Sequence, residues 1–180
     1  MRLSFDGYIS EDAENEDGPG DTAIGFKINV LKESGVRPEM GFLAGLTLPT
    51  GKNALSSERA DPSFQFLFSN SVTERISIGY NLGMSWKTVR DGSGGGHDTL
   101  SSFEYAVSAG FKITDRFGTF AESFGNVPMS ANGNPAHSFD TGFTYKVRNN
   151  IQLDASTGVG LSDDADDWFA GAGISINTPF

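Results

Sequence analysis

The sequence holds no cysteine, which excludes a disulfide scaffold and any zinc site built on thiolates. It has no run approaching the ~20 consecutive apolar residues that a membrane-spanning helix requires, and its mean hydropathy is −0.27. A basic face is missing as well. Thirteen Lys and Arg stand against 23 Asp and Glu, a net charge of −10, which argues against a nucleic-acid partner. Histidine is scarce: only His97 and His137 are available to a catalytic triad, and no serine motif accompanies either. No catalytic residue and no cofactor is therefore expected. The start is bare too, since Met1-Arg2-Leu3-Ser4-Phe5 lacks the basic segment and apolar stretch of an export signal.

What the chain does have is glycine, 23 residues, and phenylalanine, 15 residues, distributed with a two-residue period. Ile76, Ile78, Tyr80, Leu82, Met84 and Trp86 alternate without exception with Ser77, Gly79, Asn81, Gly83, Ser85 and Lys87. That period belongs to a β-strand with one apolar face. Nine further segments repeat it, beginning near residues 2, 24, 39, 63, 102, 118, 138, 151 and 168. The segment 118–126 is the weak one, because Phe120 and Phe124 share parity with Glu122. A bulge there would restore the pattern.

Connections alternate in length. Short turns are expected near residues 33–35, 70–71, 114–116 and 148–150, and long polar loops over 11–21, 49–61, 89–99, 128–135 and 162–166. A ten-residue strand tilted by ~40° covers roughly 25 Å, the height of an outer membrane's apolar band. A soluble barrel or sandwich would alternate too, with its apolar face inward, but its outer face would carry more Lys, Glu and Arg than this polar parity does. The expected fold is all-β, an antiparallel up-and-down transmembrane β-barrel of about ten strands, in one domain over residues 1–180.

Three motifs then resemble a known family. They are Gly45-Leu46-Thr47-Leu48-Pro49-Thr50-Gly51, Arg75-Ile76-Ser77-Ile78-Gly79-Tyr80-Asn81-Leu82-Gly83, and the closing Leu161-Ser162-Asp163-Asp164-Ala165-Asp166-Asp167-Trp168-Phe169-Ala170-Gly171-Ala172-Gly173. Their order and spacing resemble the outer-membrane barrels assigned as transporters of the meta-pathway of phenol degradation. The resemblance runs from about Gly20 onward. It implies a channel or transporter for small, hydrophobic or aromatic molecules in the bacterial outer membrane. Members are longer at the N-terminus, so either a signal peptide has been removed or the chain is a fragment or mis-started frame. A twelve-stranded parent missing one hairpin fits.

On this reading the polar parity lines the lumen with Asp6, Lys27, Glu39, Glu104, Lys112, Glu122, Asp140, Lys146 and Asp154. These either select a solute or pair across strands; their mixed signs favour pairing. Trp86 and Trp168 are expected at the membrane interface, and the terminal Phe180 resembles the signal read by the barrel-assembly machinery. The expected partners are outer-membrane lipid, that machinery and a small solute. The acidic run Asp163, Asp164, Asp166 and Asp167 lacks calcium-loop spacing and reads as a solvated loop, with no metal. The glycine run 92–96 precedes a strand and reads as a loop, not a phosphate cradle. Two alternatives stay open: a structural or adhesive outer-membrane barrel without transport, and a soluble barrel holding a hydrophobic ligand.

Overall fold

The computed structural model describes residues 2–5, 8–11, 16–52, 56, 59–90, 96–129 and 133–176, with side chains from residue 18 onward except Arg90. The alternating segments form strands because main-chain pairing lets each deliver its apolar residues to one face and its small polar residues to the other. The strands are β1 (Arg2–Phe5), β2 (Tyr8–Glu11), β3 (Glu16–Pro19), β4 (Thr22–Leu31), β5 (Glu39–Leu48), β6 (Asp61–Ser71), β7 (Ile76–Arg90), β8 (His97–Lys112), β9 (Phe117–Pro128), β10 (Ala136–Arg148), β11 (Ile151–Gly160) and β12 (Trp168–Ile176). Ten of them make one sheet in the order β1-β4-β5-β6-β7-β8-β9-β10-β11-β12, and β2 and β3 form a separate hairpin. Every described ladder is antiparallel. This is the up-and-down wall of a β-barrel; β1 and β12 each have one strand neighbour among the described residues.

Register preserves the two faces from strand to strand. Phe42 stands opposite Phe66, Phe66 opposite Leu82, and Leu82 opposite Tyr105, while Leu43, Gln65, Gly83 and Glu104 line up on the other side. Register shifts occur between Asn29 and Leu31 and between Lys146 and Arg148, both at the short-turn end. The turn between β4 and β5 is closed by reciprocal main-chain hydrogen bonds of 3.1 Å between Ser34 and Arg37. It places Gly35 at φ 59°, a left-handed conformation that side chains resist.

The sheet curls toward its polar face. Phe124 on β9 and Phe169 on β12 lie three ladders apart, ~14 Å on a flat sheet, yet their ring centroids are 5.9 Å apart. The opposite, convex face carries the apolar parity in the open: Phe26 is 50% exposed, Phe143 50% and Ile174 61%. No hydrophobic side chain is buried among the described residues, whereas Ser138 and Asp140 on the polar face are. Cross-strand aromatic contacts knit the convex face, with Phe68 stacked on Tyr80 at 4.8 Å and Phe42 packed on Phe66 at 5.4 Å.

Three expectations change. The first segment, expected to run as one strand from residue 2 to the loop at 11–21, contributes two: β1 over Arg2–Phe5, and Tyr8–Glu11, which pairs with Glu16–Pro19 of that expected loop. The loop expected over 89–99 is shorter, because the β7–β8 ladder runs up to Arg90 opposite His97. Pairing there outlasts the apolar alternation, helped by the β-branched Thr88, Val89 and Thr99. Finally, β9 keeps its register against both neighbours with no bulge, so Phe120, Glu122 and Phe124 all belong to the polar, concave face.

Candidate functional site

The concave face encloses a cavity of about 480 Å³ near the long-loop end. Its walls come from Gln65 on β6, Asn81 on β7, Glu104 on β8, Glu122 and Phe124 on β9, Ser138 on β10, and Asp164 to Asp166 of the β11–β12 loop. Only a curled sheet brings these elements around one space. A cavity of about 350 Å³ beside it is lined by Lys27, Asn29 and Glu39 with Gln65. Another of about 350 Å³ at the short-turn end is lined by Lys112, Asp115, Phe120 and Lys146.

Glu104 is fixed from two sides. Ser85 donates to its Oε1 at 2.6 Å, and the Gln65 amide donates to its Oε2 at 3.1 Å. Gln65 and Glu104 sit on strands separated by β7, and the residue between them in register is Gly83. A Cβ on Gly83 would meet the Gln65 side chain and the Phe64 carbonyl, so the missing side chain is what lets the two polar groups reach each other.

Glu122 faces Asp140 directly across the β9–β10 ladder. Asp140 is 8% exposed, and its Oδ1 is without a hydrogen-bond partner among the described residues. Phenyl rings flank this pair. Phe120 lies across Gly142, Phe169 lies across Gly158, and Phe124 meets Phe169 edge-on. The concave face is thus an aromatic strip set between polar groups, a surface on which a flat apolar molecule can be held and oriented.

The β11–β12 loop folds over this face. Ser162 Oγ accepts the His137 main-chain N–H at 2.9 Å, and the Leu161 N–H donates to the His137 carbonyl at 2.7 Å. The segment following brings Ala165 and Asp166 against Gly160. The acidic run is therefore anchored over the cavity mouth, although its carboxylates remain exposed. No group of three or more His, Cys, Asp or Glu suited to a metal occurs among the described residues.

Register places Lys27, Glu39, Glu104, Lys112, Glu122, Asp140, Lys146 and Asp154 on the concave face; Asp6 lies outside the described residues. Their expected acid–base pairing across strands is not how they are arranged. Glu122 opposes Asp140, Lys146 opposes Gln152, Asp154 opposes Thr144, and Lys112 binds the turn residue Asp115 at 2.7 Å. Trp86 packs on Phe64 at 5.9 Å, and Trp168, opposite Val159, is 72% exposed; both belong to the apolar parity at the loop end. Phe180 lies outside the described residues. His137 Nδ1 is 2.9 Å from Tyr105 Oη, on the convex side, and Ser162 touches only its main chain. The aromatic strip was the feature to find in sequence. Phe120 and Phe124 share the parity of Glu122, and Phe169 shares that of Gly171 and Gly173.

A one-sheet, up-and-down wall with an apolar outside and a polar, cavity-bearing inside defines the class of barrel proteins. Within it, the chain belongs to the family described as the putative MetA-pathway of phenol degradation, which matches residues 1–178. No curated protein matches the chain.

Proposed function

We propose that the protein is an outer-membrane conduit for small apolar solutes, aromatic ones in particular, and performs no chemistry on them. The observation that carries this reading is the inverted distribution of polarity. Large apolar side chains stand exposed on the convex face, while the cavities, charges and phenyl strip occupy the concave one. Water would penalise such an outside, whereas lipid matches it. Outer-membrane lipid is then the partner of the convex face. The assembly machinery is the partner of the C-terminal strand. The family description agrees with an aromatic solute at a coarse level.

The test is reconstitution. Protein folded into detergent is expected to show a heat-modifiable gel shift, and liposomes carrying it to take up a phenol faster than protein-free liposomes. It should pass a similarly sized sugar less readily than the phenol. Cooperative folding to a monomer in plain buffer would overturn the membrane reading. A folded barrel giving protein-free rates for the phenol would leave a structural barrel instead.

A further inference from the structure

One pair of like charges on the concave face is left without compensation. Glu122 on β9 and Asp140 on β10 are direct register partners, and residues so opposed hold their Cβ atoms about 4.5–5.5 Å apart. At that separation the two carboxyls are within reach of each other. Asp140 is 8% exposed, and its Oδ1 meets no hydrogen-bond partner among the described residues. Glu122 borders the cavity of about 480 Å³. One carboxyl of the pair therefore opens on the lumen, and the other is buried behind it.

The surroundings supply no countercharge. In register, Ser108 on β8 stands beyond Glu122, and Gly158 on β11 stands beyond Asp140, followed by Phe169 on β12. The Ser108 hydroxyl leans over Gly79, away from Glu122. The next concave residues along the strands are Phe120 and Phe124 on β9, Ser138 and Gly142 on β10, and Ala106 and Gly110 on β8. Around the same cavity, Glu104, Asp164 and Asp166 add negative charge, and the Tyr105 phenol is bonded to His137. The titratable residue nearest on β11, Asp154, is an acid as well. Lys112 on β8 stands opposite Gly118, four residues or ~14 Å from Glu122, and is paired with Asp115. Lys146 lies farther along β10 still.

Two carboxylates in contact, one of them out of water, do not both stay ionised without a cation between them. A metal ion fits poorly. Calcium takes roughly six to eight oxygens, and the positions flanking this pair are mostly Phe, Ala and Gly. A proton needs only two. We propose that Glu122 and Asp140 form a proton-binding site, holding one shared proton at neutral pH in an O–H···O bond between the two carboxyls. The site carries one negative charge with the proton in place, and two after the proton leaves through the cavity that Glu122 borders. The charge beside the phenyl strip thus answers to pH. The site stands on local register and burial, whether or not the wall conducts, so it can fail separately from the transport reading.

Infrared spectroscopy of the detergent-folded protein reads the proton directly. At about pH 6, where ordinary Asp and Glu are ionised, the parent is expected to show the carbonyl band of one protonated carboxyl. Glu122→Gln and Asp140→Asn should each lose it. Absence of the band from the parent would overturn the site. A band that survives in Glu122→Gln would place the proton on Asp140 alone and overturn the sharing. Carbon-13 labelling of all Glu, and separately of all Asp, makes the same distinction in the parent if a variant fails to fold. Raising the pH from about 6 to about 9 should then alter carboxyl signals in both labelled samples with one midpoint, and a change confined to the Asp sample would overturn the sharing. Stability gives a second readout. A folded state that keeps a proton the unfolded chain has released loses stability as pH rises. The parent's urea midpoint should accordingly fall over that range more steeply than either variant's, and parallel profiles would overturn the proposal.

Discussion

A glycine does the most specific work at the level of single residues. Gly83 keeps open the gap through which Gln65 reaches Glu104, and a Cβ there would press on the Phe64 carbonyl as well as on Gln65. Gly83→Leu is therefore expected to destabilise the folded protein by about 1–3 kcal/mol, the usual range for overpacking. Gly171→Ala, whose added Cβ would come no closer than 3.9 Å to Ser156 Oγ, should change stability by no more than about 0.5 kcal/mol. Urea midpoints read from the heat-modifiable band would separate the two. A second residue-level effect lies outside the wall. Lys112 hydrogen-bonds Asp115 and adds its positive charge, holding that turn carboxyl below its usual value of 3.8. A lowered carboxylate contributes stability above its unfolded value, and the contribution is lost as pH falls through the folded one. Because Asp115 is fully exposed, the measurable consequence is the titration itself. Lys112→Gln should move the Asp115 carboxyl midpoint upward in an NMR titration; an unchanged midpoint would refute the pairing.

Between residues and sheet, two short turns share one device. Thr73-Glu74-Arg75-Ile76 and Thr114-Asp115-Arg116-Phe117 repeat the order Thr, acid, Arg, apolar. In each, the Thr hydroxyl accepts two main-chain N–H groups: Arg75 and Ile76 at 3.2 and 3.0 Å, Arg116 and Phe117 at 3.3 and 2.9 Å. The hydroxyl thereby sets where the next strand begins. Thr73→Ala and Thr114→Ala should each lower stability by about 0.5–1.5 kcal/mol. Being separate turns, they should add to within about 0.5 kcal/mol in the double variant, measured by the same unfolding midpoints. The turn at 114–116 was legible in sequence, as were β5 and the start of β7 to the residue, because an uninterrupted period of two fixes the face of every side chain. The turn expected at 70–71 falls later, at 72–75, because Asn70 and Ser71 still pair with Ile78 and Ser77. The ends of β7 and β8 were not legible, since ladder hydrogen bonds continue where side-chain alternation has stopped. Nor was the β2–β3 hairpin, whose sequence Glu16-Asp17-Gly18-Pro19 has no strand propensity and pairs through its main chain.

For the whole molecule, the legible part was the sign of each face, and the illegible part was what the concave face does with its space. Alternation places the charged residues named above on one side, but it is silent on which of them meet. Pairing depends on register across strands, and register set Glu122 against Asp140 where mixed charges had implied a salt bridge. The irregular β9 parity, which reads as a flaw in a lipid-facing strand, is the aromatic strip seen from the wrong side. If that strip guides the solute, its rings impose selectivity on a lumen that polar groups alone would leave to any small molecule. Phe124 and Phe169 support each other edge-on, so truncating either removes a wall of the other's site. Phe124→Ala and Phe169→Ala are each expected to raise liposome uptake of a small sugar by widening the passage. The same variants should reduce the preference for a phenol over that sugar several-fold, because ring contacts of ~0.5–1.5 kcal/mol are lost. Phe143→Ala, on the convex face, should leave the preference unchanged. Equal preference in all three variants and the parent would mean that the solute does not travel along the rings.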